Sequence, residues 1–214
     1  MKRVGLMFLL AMITASPVSA NIVITEWMYN GLGTGSAGEF VELRNIGLVP
    51  IDMTGWSYDD SSQTPGSFSL SGFGIVNPGE IVILTDETAV NFATVWGLSG
   101  IDIVGGNTHN LGRNDEINIY DASNALVDRL TYGDENFPGT IRTQNRSGNI
   151  PASDYGFTTV QLGWVLATAG DSFGSYASTR GEIGSPGVVP EPATLAMLAV
   201  GAALALRRRI ANSV

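Results

Sequence analysis

Between residues 22 and 132 apolar and polar positions alternate in short bursts, and glycine, proline, asparagine and aspartate separate the bursts. That rhythm predicts strands of about four to eight residues joined by tight turns. Ile22 to Tyr29 (IVITEWMY) is rich in β-branched and aromatic residues, which suit a pleated strand. Glu39 to Asn45 (EFVELRN) sets Val41 and Leu43 on one face and Glu42 and Arg44 on the other. Ile51-Asp52-Met53 runs into Gly55-Trp56, and an Asp59-Asp60-Ser61-Ser62 turn follows. Ser67 to Phe73 and Glu80 to Thr85 read as two more strands, the second introduced by an Asn77-Pro78-Gly79 turn. Asp86 is placed to cap one short helix, Glu87 to Trp96, with Phe92 and Trp96 a turn apart and Gly97 as its stop. Ile101 to Val104 is a further strand, and Glu116 to Tyr120 with Ala125 to Thr131 makes a hairpin around Asp121-Ala122-Ser123-Asn124. No repeated long helix separates the strands, so a parallel α/β fold is disfavoured. The expected fold is all-β, an antiparallel β-sandwich with one short helix.

The two ends do not follow this rhythm. Lys2 and Arg3 precede a mostly apolar run, Val4 to Ala15, and Val18-Ser19-Ala20 is a small-residue cleavage pattern. Residues 1–20 therefore read as a signal peptide cut between Ala20 and Asn21. At the other end Val189-Pro190-Glu191-Pro192 leads into 14 residues without charge, Ala193 to Leu206, and then Arg207, Arg208 and Arg209. As a helix that run spans roughly 21 Å, short against a hydrocarbon core of about 30 Å. It has no polar face, however, so a core helix is the poorer reading. A transmembrane anchor meant for removal fits better, with the arginines on the cytoplasmic side.

What remains, 21–187, has the length of one domain. It divides into a sandwich at 21–135 and a partly irregular extension at 136–187, packed on the sandwich. In that extension Trp164-Val165-Leu166 is one more strand and Ser172 to Gly187 a glycine-rich lead into the tail at 188–214. The body holds 19 acidic residues against six arginines, a formal charge of −13. Such a surface opposes phosphate backbones and excludes nucleic acid as a partner. There is no cysteine, so the exported body rests on its core without disulfides.

The chemical inventory is thin, and it implies no cofactor. His109 is the sole histidine and sits in a polar loop, Asn107-Thr108-His109-Asn110, where an exposed side chain is the better reading than part of a triad. No H-E-x-x-H, G-x-S-x-G or phosphate-loop pattern occurs. Gly31 to Gly38 (GLGTGSAG) has no helix after it and reads as a strand connection. Asp59, Asp60, Asp134 and Glu135 are the candidate metal ligands, but they match no calcium-loop spacing, and weak cation binding at most is expected. Trp56 and Trp96 are placed for the core. Trp27 shares a strand face with Tyr29, opposite Glu26, and that pair, if exposed, is the best candidate binding surface.

The tail resembles the PEP-CTERM sorting signal of Gram-negative bacteria in its V-P-E-P box, its short apolar helix and its arginine cluster. It departs in the five residues, Ile210 to Val214, that follow the arginines. The resemblance implies an exosortase-type sorting protease that cuts at the box and passes the body to the cell surface. A second resemblance lies in Ile24-Thr25-Glu26, Glu39 to Asn45, Ile51 to Trp56, Val76 to Leu84 and Leu111 to Tyr132. Together these look like the lamin-tail domain and imply an immunoglobulin-like sandwich, with Met53 where the family usually has Leu. Glu26, Glu39 and Glu42 match the pattern and are expected to bond neighbouring backbone or Arg44 rather than to catalyse. The expected function is a noncatalytic exported module, structural, adhesive or binding protein or polysaccharide. It is held in the membrane by the C-terminal helix until processing and ends at the cell surface or outside. The alternative is a small secreted hydrolase using paired carboxylates, or a cation-binding surface protein.

Overall fold

The computed structural model describes residues 22–188. The expected signal peptide, with its expected cut between Ala20 and Asn21, and the tail from Val189, with its apolar run and arginines, lie outside the described residues. The strands in chain order are β1 (Ile22–Met28), β2 (Phe40–Asn45), β3 (Ile51–Asp52), β4 (Ser57–Asp59), β5 (Phe68–Ser69), β6 (Ile75–Val76) and β7 (Ile81–Thr85). Helix α1 (Ala89–Trp96) precedes β8 (Asp102–Val104), β9 (Asn114–Tyr120) and β10 (Leu126–Gly133). The last four are β11 (Gly148–Asn149), β12 (Val165–Leu166), β13 (Tyr176–Ala177) and β14 (Ile183–Gly184).

The alternation in β1 and β2 gives each strand two distinct faces, and both faces are covered. A six-stranded sheet runs β12-β11-β1-β2-β7-β8, and a four-stranded sheet runs β10-β9-β4-β5. Between them lies one core. Trp27, Val41, Leu43 and Leu84 come from the first sheet, Tyr58, Ile117, Ile119 and Tyr132 from the second, with Met53 and Trp56 among them. Trp27 lies over Tyr132 with ring centroids 3.9 Å apart and meets Trp164 edge-on at 6.4 Å. A register shift between Ile24 and Glu26 brings Ile24 and Trp27 onto the same inner face, an effect of one extra residue in a strand. The half-buried Asp128 carboxylate accepts the Ile24 backbone N–H at 2.8 Å beside that shift.

Part of the outer face of the first sheet is apolar too. Met28, Phe40, Ile81 and Ile83 pack against Phe92, Val95 and Trp96 of α1. The hairpin β13–β14 adds Tyr176, whose ring meets Trp96 edge-on at 5.6 Å. The described residues thus form three layers. The extension is part of them: β11 pairs with β1, and β12 with β11. Gly148 permits this close approach, because a Cβ there would lie 2.8 Å from Ile141 Cδ1 and 3.0 Å from Trp27 Nε1.

Several expectations change. The one α-helix among the described residues begins at Ala89, and its cap is Thr88, whose hydroxyl accepts the Asn91 N–H. Asp86 instead accepts the Gly38 N–H at 3.0 Å. Gly97 ends the helix with φ 67°, the left-handed turn that glycine takes most easily. Ser67 to Phe73 is not one strand. Only Phe68–Ser69 pairs, and a 3₁₀ turn at Ser71–Phe73 buries Leu70 and Phe73 together. The sandwich is not wholly antiparallel, since β8 pairs parallel to β7. The α1 crossover between them supplies the long return that a parallel pair needs. The glycine-rich stretch before the tail is more regular than expected, because it contains β13 and β14. No helix of the described residues is long and apolar enough to cross a membrane.

Candidate functional site

The pairing registers put the loops after β1, β4, β7, β8 and β10 at one end of the sandwich. The loop at residues 105–113 organises that end. Glu39 leads into β2 and is buried; its carboxylate accepts the Leu111 N–H at 2.6 Å and the Asn107 side-chain amide at 3.4 Å. Burial pushes Glu39 up to about 9, against those two donors. Next to it is an open cleft of about 310 Å³, lined by Tyr29, Glu39, Asp86 and Arg113 among others. A shifted carboxyl in a cleft is a candidate acid, yet both Glu39 oxygens are engaged in holding the loop.

On the other side of this loop, Asp59 closes β4. It is buried, and its Oδ2 accepts from Ser62 Oγ at 2.6 Å and from Thr64 N at 2.5 Å. Burial works to raise Asp59, but the donors outweigh it and hold the carboxyl below its ordinary value. His109 Nδ1 stands 3.4 Å from Asp59 Oδ1. The His109 backbone is pinned by Tyr58 Oη on its carbonyl at 3.1 Å, with Asn107 bonding both its N–H and its carbonyl. Asp60, His109 and Asp59 each offer one ligand atom within 4.8 Å of the others. The sequence separated the two acid pairs from the histidine; the fold brings Asp59 and Asp60 to it. Asp134 and Glu135 are not part of this group. Both pair with Arg113, each at 2.7 Å, and the Arg113 bonds hold Asp134 below its usual range.

The proposed surface of Trp27 and Tyr29 is overturned: Trp27 is 1% and Tyr29 8% exposed. The register shift at Ile24 turns their face into the core, and Arg142 donates to the Tyr29 hydroxyl at 2.9 Å. Glu26, on the opposite face, is buried as well. It stands directly across from Glu42 in the β1–β2 register. Glu26 accepts from Ser147 Oγ and from the Ser185 N–H, and Glu42 accepts from Thr25 Oγ1 at 2.6 Å and the Gly187 N–H at 2.8 Å. Burial pushes Glu26 up to about 7 and, with Glu26 alongside, Glu42 to about 8. The expected partner Arg44 makes no ion pair with either. These carboxylates hold the last described residues onto the sheet, and the alternation in EFVELRN was the available signal that Glu42 faces away from the core.

The pattern carrying Glu26, Glu39, Glu42 and Trp56 matches a known family. The family model for the Lamin Tail Domain matches residues 15–134, more than half of the chain. The chain belongs to the lamin tail domain family. The all-β architecture with one short helix is consistent with the immunoglobulin-like fold of lamin-tail domains. A model for the PEP-CTERM protein-sorting motif matches residues 188–209, a signal that implies exosortase recognition, export and sorting to the cell surface. No curated protein matches the chain.

Proposed function

We propose that this lamin-tail protein is a noncatalytic module displayed on the cell surface with its loop end outward, where it binds surface proteins or extracellular polysaccharide. One observation carries the orientation. The sorting motif begins at Val188, and Val188 lines a small cavity with Arg44 and Ile81. Arg44 pairs with Val23 and with Ile81, at the end of the first sheet where β1 begins. The loop cluster of Glu39, Asp59 and His109 occupies the other end. Residues 193–206 anchor the chain with Arg207 to Arg209 on the cytoplasmic side, Asn21 is the mature N-terminus, and cleavage near Pro192 transfers the body.

The hydrolase reading has one favouring observation, the cleft holding Glu39 and Asp86. The engagement of both Glu39 oxygens by the loop speaks against it. Fractionation of cells carrying a tagged body, with and without residues 189–214, tests the proposal. The intact chain should partition to membrane and surface and the truncated body to the periplasm or medium; identical partitioning would remove the sorting role.

A further inference from the structure

We infer that Asp59, Asp60 and His109 form a binding site for a divalent zinc-type cation. The first ground is an orphaned atom. Asp59 has no exposed side-chain surface, and its Oδ1 has no hydrogen-bond partner, whereas Oδ2 is held by two donors. A buried carboxylate oxygen left without a partner is costly, and this one faces the His109 ring.

The second ground is spacing. Zinc holds its nitrogen and oxygen ligands at about 2.0–2.2 Å, and on a tetrahedron two such ligands lie roughly 3.3–3.6 Å apart. Asp59 Oδ1 and His109 Nδ1 are 3.4 Å apart. Asp60 and His109 are partly exposed, so the third ligand, within 4.8 Å, has room to close in. The third ground is the support around the ligands. Asp60 accepts the Ser62 N–H on Oδ1 at 3.0 Å, and Asn118 holds its backbone carbonyl at 2.8 Å. The triple grip on the His109 backbone fixes the loop that carries the ring. Partners of this kind orient metal ligands.

An imidazole among two carboxylates selects for zinc and similar transition ions over calcium, which takes oxygen ligands only. Three protein ligands leave a fourth position for water or for a group from a partner. The inference does not depend on the surface-display reading.

The test is calorimetric titration of the chelator-stripped full chain with zinc and, separately, with calcium. Cobalt provides a third arm, read by visible absorption for tetrahedral bands. The wild type should bind one equivalent of zinc, more tightly than calcium, and should show the cobalt bands. His109→Ala, a loop substitution compatible with folding, should weaken zinc at least about tenfold and abolish the bands, as should Asp59→Asn. Asp134→Asn, outside the group, should bind as the wild type does. Absence of stoichiometric zinc binding, equal affinity in His109→Ala, or calcium binding as tight as zinc would each overturn the site.

Discussion

Replacing Glu42 by glutamine should stabilise the protein at alkaline pH and barely change it at acidic pH. Glu42 and Glu26 face each other across β1 and β2, both buried, and like charges directly opposite in a sheet repel. Both carboxyls sit above their ordinary 4.5, at about 8 and about 7. A carboxyl raised in the folded state contributes stability that is fully present below the unfolded value and lost as pH rises through the folded one. The fold should therefore weaken between about pH 5 and 9. Moving Glu42 from 4.5 to about 8 corresponds to about 5 kcal/mol at roughly 1.4 kcal/mol per pH decade. The two groups titrate as a pair and share that cost, so Glu42→Gln should recover on the order of 2–4 kcal/mol at pH 9. For a body of this size that is a rise in Tm of roughly 5–15 °C. At pH 5, where both carboxyls already carry protons, the change should stay within about 1 kcal/mol, since glutamine still offers an acceptor to Thr25 or Gly187. Thermal melts of both proteins from pH 5 to 9 are the assay. Parallel curves, or a wild type that gains stability as pH rises, would show that the pair is not protonated in the fold.

Trp27→Ala should destabilise by about 3–5 kcal/mol, because the ring packs on Tyr132 and Trp164; an unchanged denaturant midpoint would contradict its burial. Arg180 pairs with Glu87 and with the fully buried Glu182, so Arg180→Met strands a buried charge and should cost about 3–5 kcal/mol, measured by the same unfolding experiment. N-terminal sequencing of the exported protein should begin at Asn21, and a chain still starting at Met1 would refute export through a cleaved signal peptide.

The inner faces of this sandwich were readable because Val41 and Leu43 alternate strictly with polar neighbours. The outer face was not. Alternation marks Glu42 as facing away from the core, but whether that face meets water depends on Gly187, 145 positions later in the chain. The fate of Trp27 was hidden for a different reason: a register shift between Ile24 and Glu26 moves it to the inner face, and no local pattern announces a bulge. Asp59 ends β4 and His109 lies in the loop before β9, so their approach is a product of β4 pairing with β9. The sorting tail was legible because its signal is compositional: two prolines, an uncharged apolar run and three arginines need no tertiary partner.

Surface display can be measured directly, because the chain contains no cysteine and a single one can be introduced. Asn136 is exposed in the loop after β10, at the end opposite Val188, and only its backbone N–H is engaged there, with Asn114 Oδ1. Intact cells carrying Asn136→Cys should be labelled by a membrane-impermeant maleimide when residues 189–214 are present, and should lose that cell-associated label when they are removed. Label that appears only after lysis, or that persists on cells lacking the tail, would contradict sorting to the surface.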